Sequence, residues 1–304
     1  MLRKDVNQYI ELKKALGYKY RVQASLLNSF VKFSETQGER FIRTETVLDW
    51  AAKAPSAPQR RNRLLTVRRF AIEISAEDKR HQVPPKNAFG YKTFKRRIPY
   101  IFEPEEIAII LNSAENLKPN GTIRPATYRM IFGLLAATGL RISEALALQI
   151  TDITDDGLVI RSTKFRKTRL VPIHETVRLE LYRYLSLRKN VAAEDNTVFI
   201  SLKGKAISYT TVNSIFLSIL RSTGLRKGPG YPGPIMHDLR HTFSVRSLEN
   251  CMNDKLSVSQ HIVSLSTYLG HTHVSDTYWY LQATPTLMND IAKANEVFFK
   301  GGKK

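Results

Sequence analysis

Two histidines and an arginine lie within five positions of one another, as His237, Arg240 and His241. This spacing predicts that they share one or two turns of a helix. A polar, cationic cluster of this kind is costly near an apolar core unless it meets an anion, and arginine offers forked donors that suit a phosphate. The segment therefore predicts a phosphate site.

Two other segments complete the predicted site. The upstream segment reads T-G-L-R-I-S-E-A-L and contains Arg141, while the downstream segment reads L-G-H and ends at His271, with Tyr280 nine residues later. Cleaving a phosphodiester without water requires a nucleophile, cations for the non-bridging oxygens and a proton for the leaving oxygen. Arginines, histidines and a phenol together predict phosphoryl transfer.

Taken in order, these motifs resemble the signature of the tyrosine recombinase (phage integrase) family, in particular Xer-like members or members encoded by transposons. That signature holds an arginine in a T-G-L-R-x-S-E-L-like helix, a lysine on a β-hairpin, H-x-L-R-H, L-G-H and a following tyrosine. The resemblance covers roughly Tyr100 to Gln282. It implies a site-specific DNA recombinase or integrase that cleaves and rejoins DNA through a 3′-phosphotyrosyl intermediate and a four-way junction.

The resemblance gives each cation and imidazole an expected role. Arg141 and Arg240 would hold the phosphate oxygens, since a guanidinium stays protonated at any relevant pH and binds through two parallel donors. Of His237 and His271, one would help to accept the tyrosine proton and the other would hydrogen-bond a phosphate oxygen. The role of hydrogen-bond donor suits His271 better. His241 is interpreted as a packed residue that braces its helix.

The nucleophile and the general acid are also implied by the resemblance. Tyr280 matches the family interval after the L-G-H motif, and Tyr278 is the alternative phenol. An ordinary tyrosine phenol has a pKa near 10, so ionisation at neutral pH needs nearby cations. Lys164 would protonate the departing 5′ oxygen, with Lys167 as its alternative. A solvated basic turn is the competing interpretation, because Arg166, Lys167 and Arg169 are neighbours.

The composition favours a polyanionic partner. Lysine and arginine number 47 against 27 acidic residues, which gives a net charge of +20 and an isoelectric point of about 10. Double-stranded DNA fits this charge better than a membrane, because no apolar run approaches the roughly 18 residues of a spanning helix.

A single cysteine, Cys251, excludes an internal disulfide framework. The charged N-terminus lacks a signal peptide, so we expect a cytoplasmic, nucleoid-associated protein.

Periodicity predicts a mainly α-helical chain in two domains. Residues 1–82 are expected to form a helical domain, residues 83–99 a basic linker, and residues 100–283 an α-rich domain with a small antiparallel sheet. The resemblance implies that the first domain is a core-binding (SAM-like) DNA-binding domain and that the second domain is a catalytic domain with the integrase fold. Residues 284–304 are expected to form a tail helix that packs on its own domain or, as the family analogy suggests, on an adjacent protomer. The expected DNA contacts are Arg60, Arg61 and Arg68 on the fourth helix, Lys92, Lys95 and Arg96 in the linker, and Arg166 in the hairpin.

Within the second domain, the period of the apolar residues changes from helix to strand and back. A helix pair broken around Thr138-Gly139 precedes a two- or three-stranded antiparallel sheet that includes Leu158, Ile160, Leu170 and Ile173. Helices are predicted over residues 176–189, 210–223, 237–250 and 260–269.

The resemblance further implies a homotetramer on two duplexes that is a monomer or dimer without DNA. It leaves an accessory recombinase or directionality factor open, and implies no membrane partner, no ATP and no metal cofactor. A type IB topoisomerase-like nicking and resealing enzyme is one alternative function. A non-catalytic DNA-binding regulator on the same fold is the other, and it predicts the loss of a catalytic residue.

Overall fold

The structure is a computed structural model in which residues 2–90, 97–161, 168–193, 196–250 and 258–281 are described. The chain divides into two compact units, Met1–Arg96 and Arg97–Lys304. The finer boundaries expected at residues 82, 99 and 283 stay predictions. Among the described residues, no helix combines the length and the apolar character that a membrane crossing requires.

The N-terminal unit is helical throughout its regular structure. Its described helices are α1 (Leu2–Ala15), α2 (Arg21–Thr36), α3 (Thr44–Ala52) and α4 (Ala57–Glu77). Apolar residues recur along α4 at the spacing of one helix face, so they bury together against α2 and α3. That core includes Leu27, Phe30, Val47, Trp50, Leu64, Val67 and Phe70.

The end of the first unit packs back on its own core. Gln82 donates its backbone N–H to the Ile42 carbonyl, and Phe89 lies against the same apolar cluster as α4. The basic segment predicted as a linker therefore begins with residues that contact the N-terminal unit.

The second unit is built around α6 (Ile123–Thr138), whose apolar side chains are buried along most of its length. It packs against α5 (Pro104–Glu115), α8 (Glu175–Arg188) and α10 (His237–Asn250). The other described helices are α7 (Ile142–Ala147), α9 (Tyr209–Ser222), α11 (Val258–Leu269) and α12 (Ser275–Leu281). These bounds confirm the predicted helices and the predicted break between α6 and α7.

A three-stranded antiparallel sheet follows α7, in the order β1 (Ile153–Thr154), β2 (Gly157–Ile160) and β3 (Arg169–Val171). Leu158 pairs with Val171 and Ile160 pairs with Arg169, so the register places Arg169 at the first residue of β3. The expectation that Ile173 belongs to the strand is wrong. β3 ends at Val171, because the following Pro172 has no N–H to donate to a ladder.

Candidate active site

Arg240 lies on the first turn of α10 and is only 2% exposed. Its guanidinium donates to the Gly139 carbonyl at 2.6 Å and to the Leu269 carbonyl at 2.8 Å. Burial, then the neighbouring Arg141, lowers the pKa of Arg240 to about 10, which leaves it charged at neutral pH. Within the described residues, its hydrogen-bond partners are the Gly139 and Leu269 carbonyl oxygens and the His271 Nε2. A buried cation held this way is suited to bind an anion.

Arg141 reaches the same turn from the other side. It stands at the N-terminus of α7, and its side chain is 31% exposed. Its guanidinium donates to the Gly270 carbonyl at 3.2 Å and, at 3.4 Å, to the Leu269 carbonyl that also accepts from Arg240. Two guanidinium groups therefore converge on one short turn, one buried and one open to solvent.

Glu144 balances part of this charge. Its carboxylate accepts from the Arg141 guanidinium at 2.8 Å and from the Arg141 backbone N–H at 3.0 Å. Arg169 adds a forked pair of hydrogen bonds to the same carboxylate, at 2.8 and 3.1 Å. Burial alone would raise the pKa of Glu144, but the bonds from Arg169 and Arg141 lower it to about 2. Glu144 is therefore a carboxylate at neutral pH, shared by two arginines.

Two glycines permit this convergence. Gly139 ends α6 with φ of 60°, and a Cβ there would lie 2.5 Å from the Phe243 ring. Gly270 has φ of +66°, and a Cβ there would lie 2.8 Å from the Arg169 guanidinium. Both positions combine left-handed backbone with a close neighbour, a combination that only glycine tolerates without strain. Each also presents a carbonyl to a site arginine.

His271 connects the arginines to the last helix. Its Nε2 lies 3.0 Å from the Arg240 Nη2, and its Nδ1 lies 2.8 Å from the Thr277 hydroxyl oxygen. Because a guanidinium can only donate, Nε2 accepts, and the ring proton is assigned to Nδ1, where it donates to Thr277. Burial, then the charges of Arg240 and Arg141, lowers the pKa of His271 to about 4. The imidazole is therefore neutral at physiological pH.

Tyr280 lies beside this imidazole. The two rings stack with centroids 6.2 Å apart and planes 18° apart, and Tyr280 is 3% exposed. The Tyr280 ring centroid also lies 5.5 Å from that of His241, and His241 meets the exposed His237 edge to face at 4.6 Å. Arg141, Arg240, His271, Tyr280 and His237 thus belong to one continuous set of contacts.

Residues 101–286 match the phage integrase family. The chain belongs to this family. A putative integrase/recombinase, y4rB, of Sinorhizobium fredii is 36% identical over 97% of this chain and 96% of its own. The tyrosine recombinase XerD of Chlamydia trachomatis is 32% identical over 61% of this chain and 58% of its own. The XerH site-specific recombinase, in a post-cleavage complex with palindromic difH, shares the fold with a TM-score of 0.64. It is 19% identical, over 90% of this chain and 78% of that one.

Family membership and these relatives make the protein a tyrosine-type site-specific DNA recombinase. Within this recombinase, the structure brings together five of the six residues predicted for catalysis. The sixth, Lys164, lies outside the described residues, as do its alternative Lys167 and the DNA-contact candidates Arg166, Lys92, Lys95 and Arg96. The side chain of Tyr278, the alternative phenol, also lies outside them.

The remaining DNA-contact candidates lie on α4 of the N-terminal unit. The exposed Arg60 donates to the Ala54 carbonyl at 3.0 Å, and the half-buried Arg61 donates to the Gly90 carbonyl at 3.3 Å. Arg68, also half-buried, donates to the Pro84 carbonyl at 2.5 Å. Each guanidinium therefore donates one hydrogen bond to a backbone carbonyl of its own unit.

Three residues of the site were not predicted to act there. Arg169 was considered only as a basic neighbour of Lys164, yet its side chain is 12% exposed and pairs with Glu144. Thr277 is fully buried, with its hydroxyl oxygen 2.8 Å from the His271 Nδ1, and Glu144 is the acidic residue of the T-G-L-R-I-S-E-A-L segment. The one sequence signal for Arg169 is a charged residue that opens an otherwise apolar strand. Thr277 gave no signal that separates it from a helical core residue.

The described side chains include no group of three or more histidine, cysteine, aspartate or glutamate residues arranged to hold a metal ion.

Proposed function

We propose that this recombinase cleaves DNA with Tyr280 as nucleophile, in a pocket where Arg141 and Arg240 hold the scissile phosphate. The observation that carries this proposal is the convergence of both guanidinium groups on the Leu269–Gly270 turn, with His271 between Arg240 and the Tyr280 ring. A pentavalent phosphate needs positive charge that is already in place when its own charge develops. Groups held by backbone carbonyls meet that need.

In the proposed step, the Tyr280 oxygen attacks phosphorus, and the bond from phosphorus to the 5′ oxygen breaks. His237 helps to accept the phenol proton, and Lys164 gives a proton to the departing 5′ oxygen. The products are a 3′-phosphotyrosyl link and a free 5′ hydroxyl, so the bond energy is kept for rejoining without ATP. A 5′ hydroxyl from a second duplex can then attack the link and release Tyr280.

His271 has a defined starting state for this chemistry. Its Nε2 accepts from Arg240, so a donor role toward phosphate requires the phosphate to replace Nε2 as the acceptor of that Arg240 N–H and the ring proton to move from Nδ1 to Nε2. A neutral ring makes this change without altering the charge of the pocket. We propose that phosphate binding triggers it.

Double-stranded DNA is the proposed partner, contacted by Arg60, Arg61 and Arg68 on α4 and by Lys92, Lys95, Arg96 and Arg166. A net charge of +20 supports this partner. We further propose a homotetramer on two duplexes, linked by exchange of the tail helix and acting on the nucleoid in the cytoplasm. We propose DNA integration as its task, with or without an accessory factor, and the putative integrase/recombinase y4rB supports this proposal through its 36% identity to the chain.

The decisive test uses short duplexes tiled across the DNA that flanks the gene, each carrying a nick near a candidate cleavage position. Wild-type protein is expected to form a denaturation-resistant adduct with one of them. Cleavage beside the nick releases a short fragment that carries the 5′ hydroxyl, and without that hydroxyl the phosphotyrosyl link cannot be reversed. Tyr280→Phe is expected to form none while still shifting the duplex in a gel, and Tyr278→Phe serves as the matched control.

An adduct that survives in Tyr280→Phe and disappears in Tyr278→Phe would assign the nucleophile to the other phenol. A wild-type protein that binds these duplexes and cleaves none of them would favour the non-catalytic regulator. Resealing of the nicked strand without joining to a second duplex would favour the topoisomerase-like activity.

A further inference from the structure

Arg169 connects three segments of the catalytic unit that are far apart in sequence. It is the first residue of β3, and its Nε donates to the Tyr268 carbonyl at the end of α11 at 2.8 Å. Its two terminal nitrogens donate to the two carboxylate oxygens of Glu144 on α7. All three nitrogens of the guanidinium are therefore used, and the side chain is 12% exposed.

The carboxylate of Glu144 is where Arg169 and Arg141 meet. Glu144 is 7% exposed, and a buried carboxylate needs compensating charge. Arg141 and Arg169 together supply two positive charges to one negative charge, so the three groups carry a net charge of about +1. Without Arg169, the Arg141–Glu144 pair would be electrically neutral, and Glu144 would compete with a phosphate for the Arg141 donors.

Arg169 also fixes the turn on which the site arginines converge. Tyr268, whose carbonyl accepts from Arg169, directly precedes Leu269 and Gly270, whose carbonyls accept from Arg141 and Arg240. The guanidinium lies so close to Gly270 that an added Cβ would come within 2.8 Å of it. A displacement of Arg169 would therefore displace the Leu269–Gly270 turn as well.

We propose that Arg169 is a positioning residue for DNA cleavage. It hydrogen-bonds and neutralises the Glu144 carboxylate, so that Arg141 can bind the scissile phosphate, and it fixes the Leu269–Gly270 turn through the Tyr268 carbonyl. This inference rests on the proposed function, because it takes Arg141 as a phosphate ligand. Arg169 itself does not touch the phosphate in this assignment. The competing interpretation is a residue that only stabilises the fold.

The test measures single-turnover adduct formation at saturating nicked duplex, and DNA affinity by gel shift, at a temperature where circular dichroism shows each variant to be folded. The variants are Arg169→Met, Arg169→Lys, Glu144→Gln and the double variant Arg169→Met with Glu144→Gln. Arg161→Met is the matched control, because Arg161 follows β2 in the same hairpin and pairs with Asp152 instead.

Arg169→Met is expected to slow adduct formation by about 100-fold through misplacement of Arg141, with DNA affinity changed by less than about 3-fold. Arg169→Lys is expected to lose about 10-fold, since it keeps the charge and loses the fork. Adding Glu144→Gln to Arg169→Met is expected to restore about 10-fold, because the competing charge is gone. Arg161→Met is expected to match the wild type.

The inference is overturned if Arg169→Met cleaves within about 3-fold of the wild type, or if the folded double variant is no faster than Arg169→Met. If Arg169→Met does not fold, Arg169→Lys decides, and a loss of less than about 2-fold overturns the inference. The proposed function and this inference fail together when the wild type binds the duplexes and forms no adduct. An adduct in Tyr280→Phe overturns only the choice of nucleophile, because Arg141 would still bind the scissile phosphate. The role of Arg169 alone is refuted when the wild type forms an adduct, Tyr280→Phe forms none, and the Arg169 variants form the adduct as fast as the wild type.

Discussion

Arginines are held by backbone carbonyls in both units of this recombinase, but with opposite geometry. On α4 they spread along one helix, and Arg60, Arg61 and Arg68 donate to the carbonyls of Ala54, Gly90 and Pro84. In the second unit, Arg141 and Arg240 come from different helices and share the Leu269 carbonyl. The first arrangement distributes charge over a surface, whereas the second concentrates it at one point.

This difference separates two uses of the same side chain. A spread of exposed or half-buried cations can neutralise several phosphates, each weakly, because solvent and salt screen each contact. A convergent pair that is partly or fully buried acts on one phosphate with little screening. Removing one arginine is therefore expected to weaken binding in the first case and to remove chemistry in the second.

The largest expected effect is at Arg240. Arg240→Ala should reduce adduct formation by about 1000-fold, because it removes a buried guanidinium that, in the proposed step, binds the scissile phosphate as charge develops on it. DNA affinity should change little, as measured by gel shift on the same duplex. Arg240→Lys keeps the charge and loses the fork, so it should also cleave poorly. A lysine variant that cleaves like the wild type would show that charge alone suffices here.

An intermediate effect is expected at Thr277. Thr277→Val keeps the shape and removes the oxygen that accepts from His271 Nδ1, so adduct formation should fall by about 10-fold. Because burial, then Arg240 and Arg141, holds the pKa of His271 at about 4, the ring stays neutral from about pH 6 to 8. The loss should therefore be the same across that range.

Thr277→Ser, which keeps the hydroxyl, is the matched control and should retain most of the cleavage activity. A loss in Thr277→Val that grows as the pH falls toward 6 would mean that His271 gains a proton in the working pocket. That result would contradict the neutral imidazole assigned here.

The smallest effect is expected on α4. Arg60→Gln or Arg61→Gln should weaken DNA binding by about 2- to 5-fold and lower the salt dependence by about one phosphate contact, without a change in single-turnover cleavage at saturating DNA. Arg3→Gln is the control, because Arg3 is an exposed arginine of the same unit that pairs with Glu35. Equal weakening by all three variants would indicate a general charge effect and would leave α4 with no special role.

Much of the fold was predictable from local pattern. The apolar spacing of α4, the strand alternation around Leu158 and Ile160, and the α6–α7 break at Gly139 depend on residues near in sequence. Such short-range preferences act wherever the segment lies, so they can be read before the chain is folded. The end of β3 at Val171 was missed because the expected strand was extended beyond Pro172.

The sequence by itself determined which residues could do the chemistry: the motif positions of Arg141, His237, Arg240, His271 and Tyr280, and a charge suited to DNA. Only the tertiary structure decided how they are held. Arg169 and the Tyr268 carbonyl are 99 positions apart, and Arg240 and the Gly139 carbonyl are 101 apart. Contacts at such separation follow from how helices and strands pack, and local residue preferences do not specify them.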